Sequence, residues 1–171
     1  MVDGDGWRAL TMTALAAKLG VRGPTLYSHV ENLEGLLSQV QTGALRELGL
    51  ELQRAAMGRS GPDGIRSLGT VLRDFATRHP GRYELAMTEP IDQPAMVEAG
   101  RNAGAALTAM IRSFGVETVE YELMFICLST LHGVLVLDRA GLFRGVRLDM
   151  DEAYSSAVEL VVHLLEEAAA S

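Results

Sequence analysis

The sequence predicts an all-helical protein, with a helix-turn-helix domain at the N-terminus and a longer helical domain behind it. Residues 11–37 have the pattern of a helix-turn-helix, and apolar residues recur every three or four positions along the remaining chain. No segment shows the sustained alternation of a half-buried strand. The 171 residues suffice for one domain or two small ones, and we assign the two domains to residues 1–50 and 51–171.

The first helix of this motif has good capping residues at both ends. The hydroxyl of Thr11 can accept a hydrogen bond from an amide of the first turn, and Gly20 can adopt the left-handed conformation that ends a helix. Val21, after the turn, is expected to enter the small core between the two helices. The predicted buried face of the helix consists of Met12, Leu15, Ala16 and Leu19.

The second helix of the motif starts with a proline. Pro24 suits the first helical position, where an amide hydrogen is not needed, and it disfavours the helical conformation for Gly23, which becomes the cap. Leu26 and Val30 can point inward, and Asn32 is placed to cap a third helix. The side chains left to face outward are Arg22, Thr25, Tyr27, Ser28 and His29.

The charge distribution supports DNA binding by this motif. Residues 7–30 contain three cations and no carboxylate, and residues 1–30 have a net charge of +1 within a chain of net charge −7. The alternative is an ordinary pair of small helices, since turns with glycine are common in helical proteins. Because the second helix of such a motif enters the major groove, the predicted DNA-binding residues are Thr11, Arg22, Gly23, Pro24, Thr25, Tyr27, Ser28 and His29.

Residues Leu10 to Leu37 resemble the DNA-binding segment of TetR-type transcriptional regulators, with TLYSH in a correctly spaced helix-turn-helix. The segment Thr130 to Phe143 is similar to the Trp-His-Gly segment of one family of TetR C-terminal domains, with Leu131 in place of the tryptophan. HPGRYELAM, from His79, resembles a proline-containing connection of that domain. The resemblance implies a homodimeric, ligand-responsive regulator that represses transcription.

The chain departs from this family pattern at two places. Family members begin with a helix of about three turns, which Met1 to Asp5 are too short to form. Leu33 stands where the family often has a lysine that contacts phosphate. The alternative function is therefore a dimeric small-molecule-binding or partner protein that has lost DNA binding.

Apolar periodicity predicts the helices of the C-terminal domain. Two segments are apolar on nearly every side, Val119–Leu137 and Ala153–Leu165. Because one small monomer has little material to cover both, we expect a homodimer through these last two helices, with a single deep monomer core as the alternative. The other predicted elements are a helix over 32–54, a linker over 58–64, a helix over 65–78, a short helix over 83–87, a loop over 89–94 and a helix from 95.

An effector pocket is expected in the C-terminal domain. Such pockets are mostly apolar with a few polar groups, so the expected effector is a small apolar or amphipathic molecule. The candidate pocket residues are Met96, Met110, Tyr121, Phe125 and His132. For each of them a role in the core is the simpler alternative, because methionine fills cores and a lone histidine on an apolar helix is usually hydrogen-bonded there.

No catalytic site, cofactor or metal site is predicted. Glu159 and His163 share one helix face, but a surface ion pair explains them better than a metal site, which would need further ligands. The single Cys127 is expected to be buried and inert. The apolar run Leu123–Leu137 is shorter than a membrane-spanning helix needs, so we expect a cytoplasmic protein without a membrane partner.

Overall fold

The computed structural model describes residues 1–170, in which 76% of the chain is helical and no strand occurs. This confirms the predicted fold class. The helices are α1 (Val2–Asp5), a 3-10 turn (Trp7–Ala9), α2 (Met12–Leu19), α3 (Gly23–Tyr27), α4 (Leu33–Ala56), α5 (Gly61–Arg78), α6 (Pro80–Ala86), α7 (Gln93–Arg112), α8 (Tyr121–Ala140) and α9 (Met150–Ala169).

The chain forms two compact units. The N-terminal unit consists of Met1–Gly49 and Phe75–Arg101, and the second unit consists of Leu50–Asp74 and the chain from Asn102 onward. The first change of unit, after Gly49, lies one residue from the predicted domain boundary. The inclusion of Phe75–Arg101 in the N-terminal unit was not predicted, because periodicity identifies helices but not which of them pack together. The assignment of DNA and ligand binding to residues 1–50 and 51–171 stays a prediction.

The helix-turn-helix forms largely as predicted. The Thr11 hydroxyl accepts a hydrogen bond from the Ala14 amide at 3.1 Å, and Gly20 has a φ of 67°, in the left-handed region. The contact between α2 and α3 buries Ala16 and Leu26. Leu19 and Val21 were predicted to be buried, but the structure leaves them 58% and 38% exposed. Two helices of eight and five residues meet over so small an area that one residue from each fills it.

The start of α3 was predicted less accurately than the start of α4. α3 begins at Gly23, so the capping residue is the extended Arg22 and Pro24 lies within the first turn. The predicted cap at Gly23 was therefore wrong by one residue. The predicted cap of α4 is confirmed, because the Asn32 side-chain oxygen accepts a hydrogen bond from the Gly35 amide at 2.8 Å.

The core of the N-terminal unit contains a buried glutamine on α4. Gln41 is fully buried, and its amide nitrogen donates to the carbonyl oxygens of Leu85 at 3.0 Å and Glu89 at 3.2 Å. Its amide oxygen accepts from the Ile91 amide at 3.1 Å. These bonds hold the loop between α6 and α7 against α4, because an unpaired amide of this kind would be costly to bury.

The second unit packs α5 closely against α9. The Tyr154 hydroxyl donates to the Gly69 carbonyl at 2.8 Å, and a Cβ atom added at Gly69 would lie 2.7 Å from a methyl carbon of Val158. The predicted linker over 58–64 was wrong in its second half. α5 already begins at Gly61, since Pro62 is compatible with the first turn of a helix.

α8 differs from the other long helices in how little of it is buried. It packs against α9, yet only Cys127 and Leu131 of its 20 residues are buried. Its most apolar window has a mean hydropathy of 1.5 and is 11% buried, so by length and composition α8 is long and apolar enough to cross a membrane. The length argument against a membrane span was therefore wrong for the helix as it forms, which is longer than the apolar run alone.

Candidate DNA-binding surface and effector cavities

The outward face of α3 is polar and open to solvent. Arg22, Thr25, Ser28 and His29 are exposed, and Tyr27 is 56% exposed. The Ser28 hydroxyl donates to the Thr25 carbonyl at 2.7 Å, which fixes the end of the helix. The other predicted contact residues flank this face: Pro24 and Thr11 are exposed and Gly23 is half-buried. All but one of the predicted residues are thus exposed, and their contact with DNA stays a prediction.

The three cations near this surface differ in their ion pairs. Arg8 pairs with Glu84 and stacks over the Trp7 ring, 4.4 Å from its centroid. The Lys18 ammonium lies 4.0 Å from the Asp5 carboxylate. Arg22 forms no ion pair with any residue in 1–170, which leaves its guanidinium free for a phosphate or a base. Of these three cations, Arg22 is thus the one that can bind DNA without giving up an internal ion pair.

The N-terminal segment is held against α6 by a charged cluster. The Asp3 carboxylate accepts from the Arg82 amide at 2.8 Å and from the Arg82 guanidinium at 2.9 Å, and that guanidinium also bonds Glu47 at 2.6 Å. Burial alone would raise the pKa of the Asp3 carboxyl, but the hydrogen bonds and positive charge of Arg82 lower that pKa below its ordinary value. Val2–Asp5 thus form one helical turn that is docked on α6.

The five candidate pocket residues are divided between the two units. Met96 is half-buried in the N-terminal unit, whereas the other four belong to the second unit. Met110 is buried, but Tyr121 and Phe125 are 84% and 70% exposed. The protein's own core therefore does not cover these two side chains, and their place in a pocket wall stays a prediction.

His132 lies along the helix from these two aromatic residues. The spacing of Tyr121, Phe125, Leu128, His132 and Val136 puts them on one face of α8, and we call the four apolar residues among them the α8 stripe. Burial lowers the pKa of His132 to about 4, so its ring is neutral at physiological pH. No described cavity wall in residues 1–170 includes His132, and its role in ligand binding stays a prediction.

Two of the cavities in the second unit differ in character. A polar one of about 290 Å³ lies between α5 and α9, and its walls include Arg66, Arg73, Tyr154 and Glu159. Two nitrogens of the Arg66 guanidinium each donate to one carboxylate oxygen of Glu159 at 2.7 Å, so an ion pair bridges this cavity. An apolar groove of about 570 Å³ lies between α4 and α7, and we call it the α4–α7 groove. It is lined by Leu50, Gln53, Arg54, Ala56, Met57, Ala105, Ala106, Ala109 and Met110.

The residues considered for metal or thiol chemistry have structural surroundings. Glu159 pairs with Arg66, and His163 lies 3.3 Å from the Glu167 carboxylate, so the expected surface ion pairs exist with other partners. Within residues 1–170 no group of three or more His, Cys, Asp or Glu side chains is placed to hold a metal ion. Burial raises the pKa of the Cys127 thiol to about 11, which keeps it protonated and unreactive.

Comparison with known proteins identifies the family. Residues 65–161 match the model of the tetracyclin repressor-like C-terminal domain. This chain belongs to the TetR family of transcriptional regulators. It is 32% identical over 160 residues to the uncharacterized HTH-type transcriptional regulator Rv0681 of Mycobacterium tuberculosis, a match that covers 92% of this chain and 72% of the relative.

Further matches agree with this assignment. The uncharacterized HTH-type transcriptional regulator YobS of Bacillus subtilis is 29% identical over 93 residues, which cover 54% of this TetR-family chain and 49% of the relative. The crystal structure of SCO4313, described as a regulatory protein, superposes with a TM-score of 0.76 at 21% identity. It covers 95% of this chain and 89% of that one and shows the shared fold. The predicted family and the prediction of an HTH-type DNA-binding regulator are confirmed.

We did not predict the α4–α7 groove from the sequence, although the spacing of its lining residues is visible there. Leu50 of α4 and Met57, the residue after its end, are seven residues apart, and Ala105, Ala106 and Ala109 share a face of α7. Alanines at this spacing suggest close helix packing as readily as empty space. Only the distance between α4 and α7 distinguishes close packing from an open groove, and a local sequence pattern does not show that distance.

Proposed function

We propose that this TetR-family regulator is a homodimeric repressor whose α3 helices bind two half-sites of an operator and which leaves DNA when a small effector binds the second unit. The observation that carries the proposal is the exposed polar face of α3, with an unpaired Arg22 guanidinium. The two reading helices of a bound dimer would lie about 34–36 Å apart. In this proposal the protein has no enzymatic activity and acts in the cytoplasm.

The dimer part of the proposal is supported by the surface of α8. The α8 stripe places four large apolar side chains in solvent, each between 40% and 84% exposed, and Leu160 on α9 is 59% exposed. Exposed apolar patches of this kind mark protein or membrane contacts. Membership in a family of transcriptional regulators favours a protein partner, and we propose that a second copy covers α8 and α9 as a four-helix bundle.

The effector part requires different affinities for the two states of the dimer. A ligand releases DNA only if it binds the DNA-free conformation more tightly than the DNA-bound one. The second unit offers cavities to such a ligand, and the predicted pocket residue Met110 lines one of them, the α4–α7 groove. We expect the effector to be a small apolar or amphipathic molecule.

The first test is DNA binding by the 171-residue chain to labelled DNA from its own upstream region, measured over a salt series. We expect selective binding that weakens steeply with salt, because phosphate contacts release counterions. Tyr27→Ala should weaken operator binding by about 10- to 100-fold, since base contacts are each worth about 1–3 kcal/mol. Dimerisation should not change, because Tyr27 is exposed on α3.

Thr77→Ala is a matched control, since Thr77 is also exposed in the N-terminal unit but lies far from α3 in the sequence. If Tyr27→Ala bound the operator as tightly as the control, the assigned reading face would be wrong. If the unmodified chain bound none of its upstream DNA, a search against random-sequence DNA would decide between another operator and a small-molecule binder without DNA activity.

A further inference from the structure

The α4–α7 groove is an apolar concavity with one charged residue in its wall. Its volume of about 570 Å³ lies in the range of small-molecule pockets. Its floor is formed by Ala106 and Met110, which are 4% and 5% exposed, and its rim by Leu50 and Met57, which are 46% and 68% exposed. All of these residues belong to the second unit.

The space exists because small residues face it from α7. Ala105, Ala106 and Ala109 present only methyl groups where larger side chains would fill the gap between the two helices. The Met110 sulfur packs closely against Gly64 of α5, since a Cβ atom added at Gly64 would lie 2.2 Å from it. The Gln53 amide is bonded to the Asn102 side chain at 3.3 Å, which ties α4 to α7 beside the groove.

Arg54 is the only ionisable residue among those lining the groove. It is exposed, and it forms no ion pair or side-chain hydrogen bond with any residue in 1–170. The lining contains no carboxylate, so nothing in it neutralises the guanidinium. An apolar surface beside an unneutralised guanidinium is complementary to a molecule with an apolar body and an acidic group, which arginine can bind through two hydrogen bonds.

We propose that the α4–α7 groove binds a small amphipathic anion, with its apolar body against Leu50, Met57 and the α7 alanines and its acidic group on Arg54. The inference rests on the proposed function only where it makes this ligand the effector. Binding itself is independent of DNA and can be measured without it. A carboxylate and a phosphate ester offer the same chemistry to Arg54, and the experiment separates them.

To test this, the full protein is titrated with octanoate, octyl phosphate and 1-octanol. These three molecules have the same number of carbon atoms and differ in the charge of the head group. Affinity is measured by calorimetry, and the place of binding by NMR of methyl-labelled alanine. We expect at least one anion to bind about tenfold or more tightly than 1-octanol, because hydrogen bonds to charged groups are the stronger ones. The anion that binds better identifies the head group. The methyl signals of Ala105 and Ala109 should move.

Three variants assign the binding to this groove. Arg54→Gln should bring the affinities of the anions down to that of 1-octanol, and Ala109→Leu should weaken all three ligands by filling the groove. Ala109 is exposed, so the larger side chain does not disturb the core. Arg46→Gln is the control, because Arg46 is an exposed arginine two turns earlier on α4, and it should bind like the parent chain.

The proposal is overturned if no anion binds at millimolar concentration, if 1-octanol binds as well as the anions, or if Arg54→Gln keeps the preference for charge. It is also overturned if the Ala105 and Ala109 signals stay still. An anion that binds the groove without changing operator affinity confirms the site and contradicts only its role as effector. The experiment therefore distinguishes a groove that binds no anion from a regulator that does not work as proposed.

Discussion

The exposed surfaces of α3 and α8 have opposite chemistry. α3 is five residues long and presents Arg22, Thr25 and Tyr27 to solvent, whereas α8 is 20 residues long and presents the α8 stripe. Polar groups on α3 are hydrated in the free protein, so they are available to DNA without destabilising the fold. Large apolar groups on α8 gain free energy when water is removed from them.

This difference shows which partner each surface suits and how mutations in each should behave. Substitutions on α3 should change affinity for DNA with little effect on assembly, because few of its residues support the core. Substitutions on α8 should change assembly first and DNA binding as a consequence, since two half-sites require two copies. The two surfaces can therefore be separated by measuring oligomeric state and DNA binding on the same variants.

The largest effect is expected for Phe125→Asp. A carboxylate in the middle of the α8 stripe should raise the dimer dissociation constant by about 100-fold or more. The substitution removes a large aromatic contact from the centre of the interface and puts a charge where water is excluded. Sedimentation velocity measures the shift from dimer to monomer. The helical circular dichroism should persist, since Phe125 is 70% exposed and supports little of the core.

Val97→Asp is the matched control for this substitution, because Val97 is also a large apolar residue, 63% exposed, on a different helix. It should remain dimeric. Equal dissociation of both variants would show that any added charge on an exposed helix disrupts assembly, and the α8 stripe would lose its assigned role.

A smaller effect is expected where α1 docks on α6. A Cβ atom added at Gly81 would lie 1.8 Å from the Val2 carbonyl oxygen, whereas one added at Gly104 meets nothing within 4 Å. Gly81→Ala should therefore lower the free energy of unfolding by about 1–3 kcal/mol, as overpacking does. Gly104→Ala should raise it by up to about 1 kcal/mol, because alanine is the better helix former.

Urea unfolding measures both glycine variants, and hydrogen exchange at residues 2–9 locates the change. We expect faster exchange there only for Gly81→Ala. If the two variants were equally stable, the close approach of α1 to α6 would not exist in solution. This pair also tests whether the N-terminal segment supports α3 indirectly, since loosened docking should weaken operator binding in Gly81→Ala alone.

The sequence was informative where structure is local and uninformative where it depends on packing. Caps at Thr11, Gly20 and Asn32 were predictable because each acts within four residues of the chain. The exposure of Tyr121 and Phe125 was not, because a pocket wall, a core and a dimer surface all require apolar residues at helical spacing. The pairing of Arg8 with Glu84 joins residues 76 positions apart, which no local pattern shows.

Arg8 and Arg22 should differ in how much each contributes to the salt dependence of DNA binding. Arg22→Ala should lower the slope of log affinity against log salt by about one for each phosphate that the arginine binds, because an unpaired guanidinium can bind phosphate without breaking an internal bond. Arg8→Ala should change that slope less, since Arg8 already pairs with Glu84. Equal changes for the two variants would contradict the distinction drawn from their ion pairs.

The smallest effect is expected at Asp3, whose carboxylate faces Arg82 and, at 3.4 Å, the His79 ring. Its pKa is lower in the folded chain than in the unfolded one, so the ion pair stabilises the fold above the unfolded pKa and ceases to do so as pH falls through the folded pKa. Asp3→Asn should therefore be less stable than the parent at pH 7, by about 0.5–1 kcal/mol for a partly exposed pair.

The difference between Asp3→Asn and the parent should shrink once the pH falls below about 4, where the unfolded carboxyl takes up its proton. Urea midpoints at pH 7 and pH 3 measure it. Asp5→Asn is the control, because Asp5 is exposed and its carboxylate lies 4.0 Å from Lys18. A difference at Asp3 that stayed constant between the two pH values would mean that the carboxylate acts by its shape and hydrogen bonding, not by its charge.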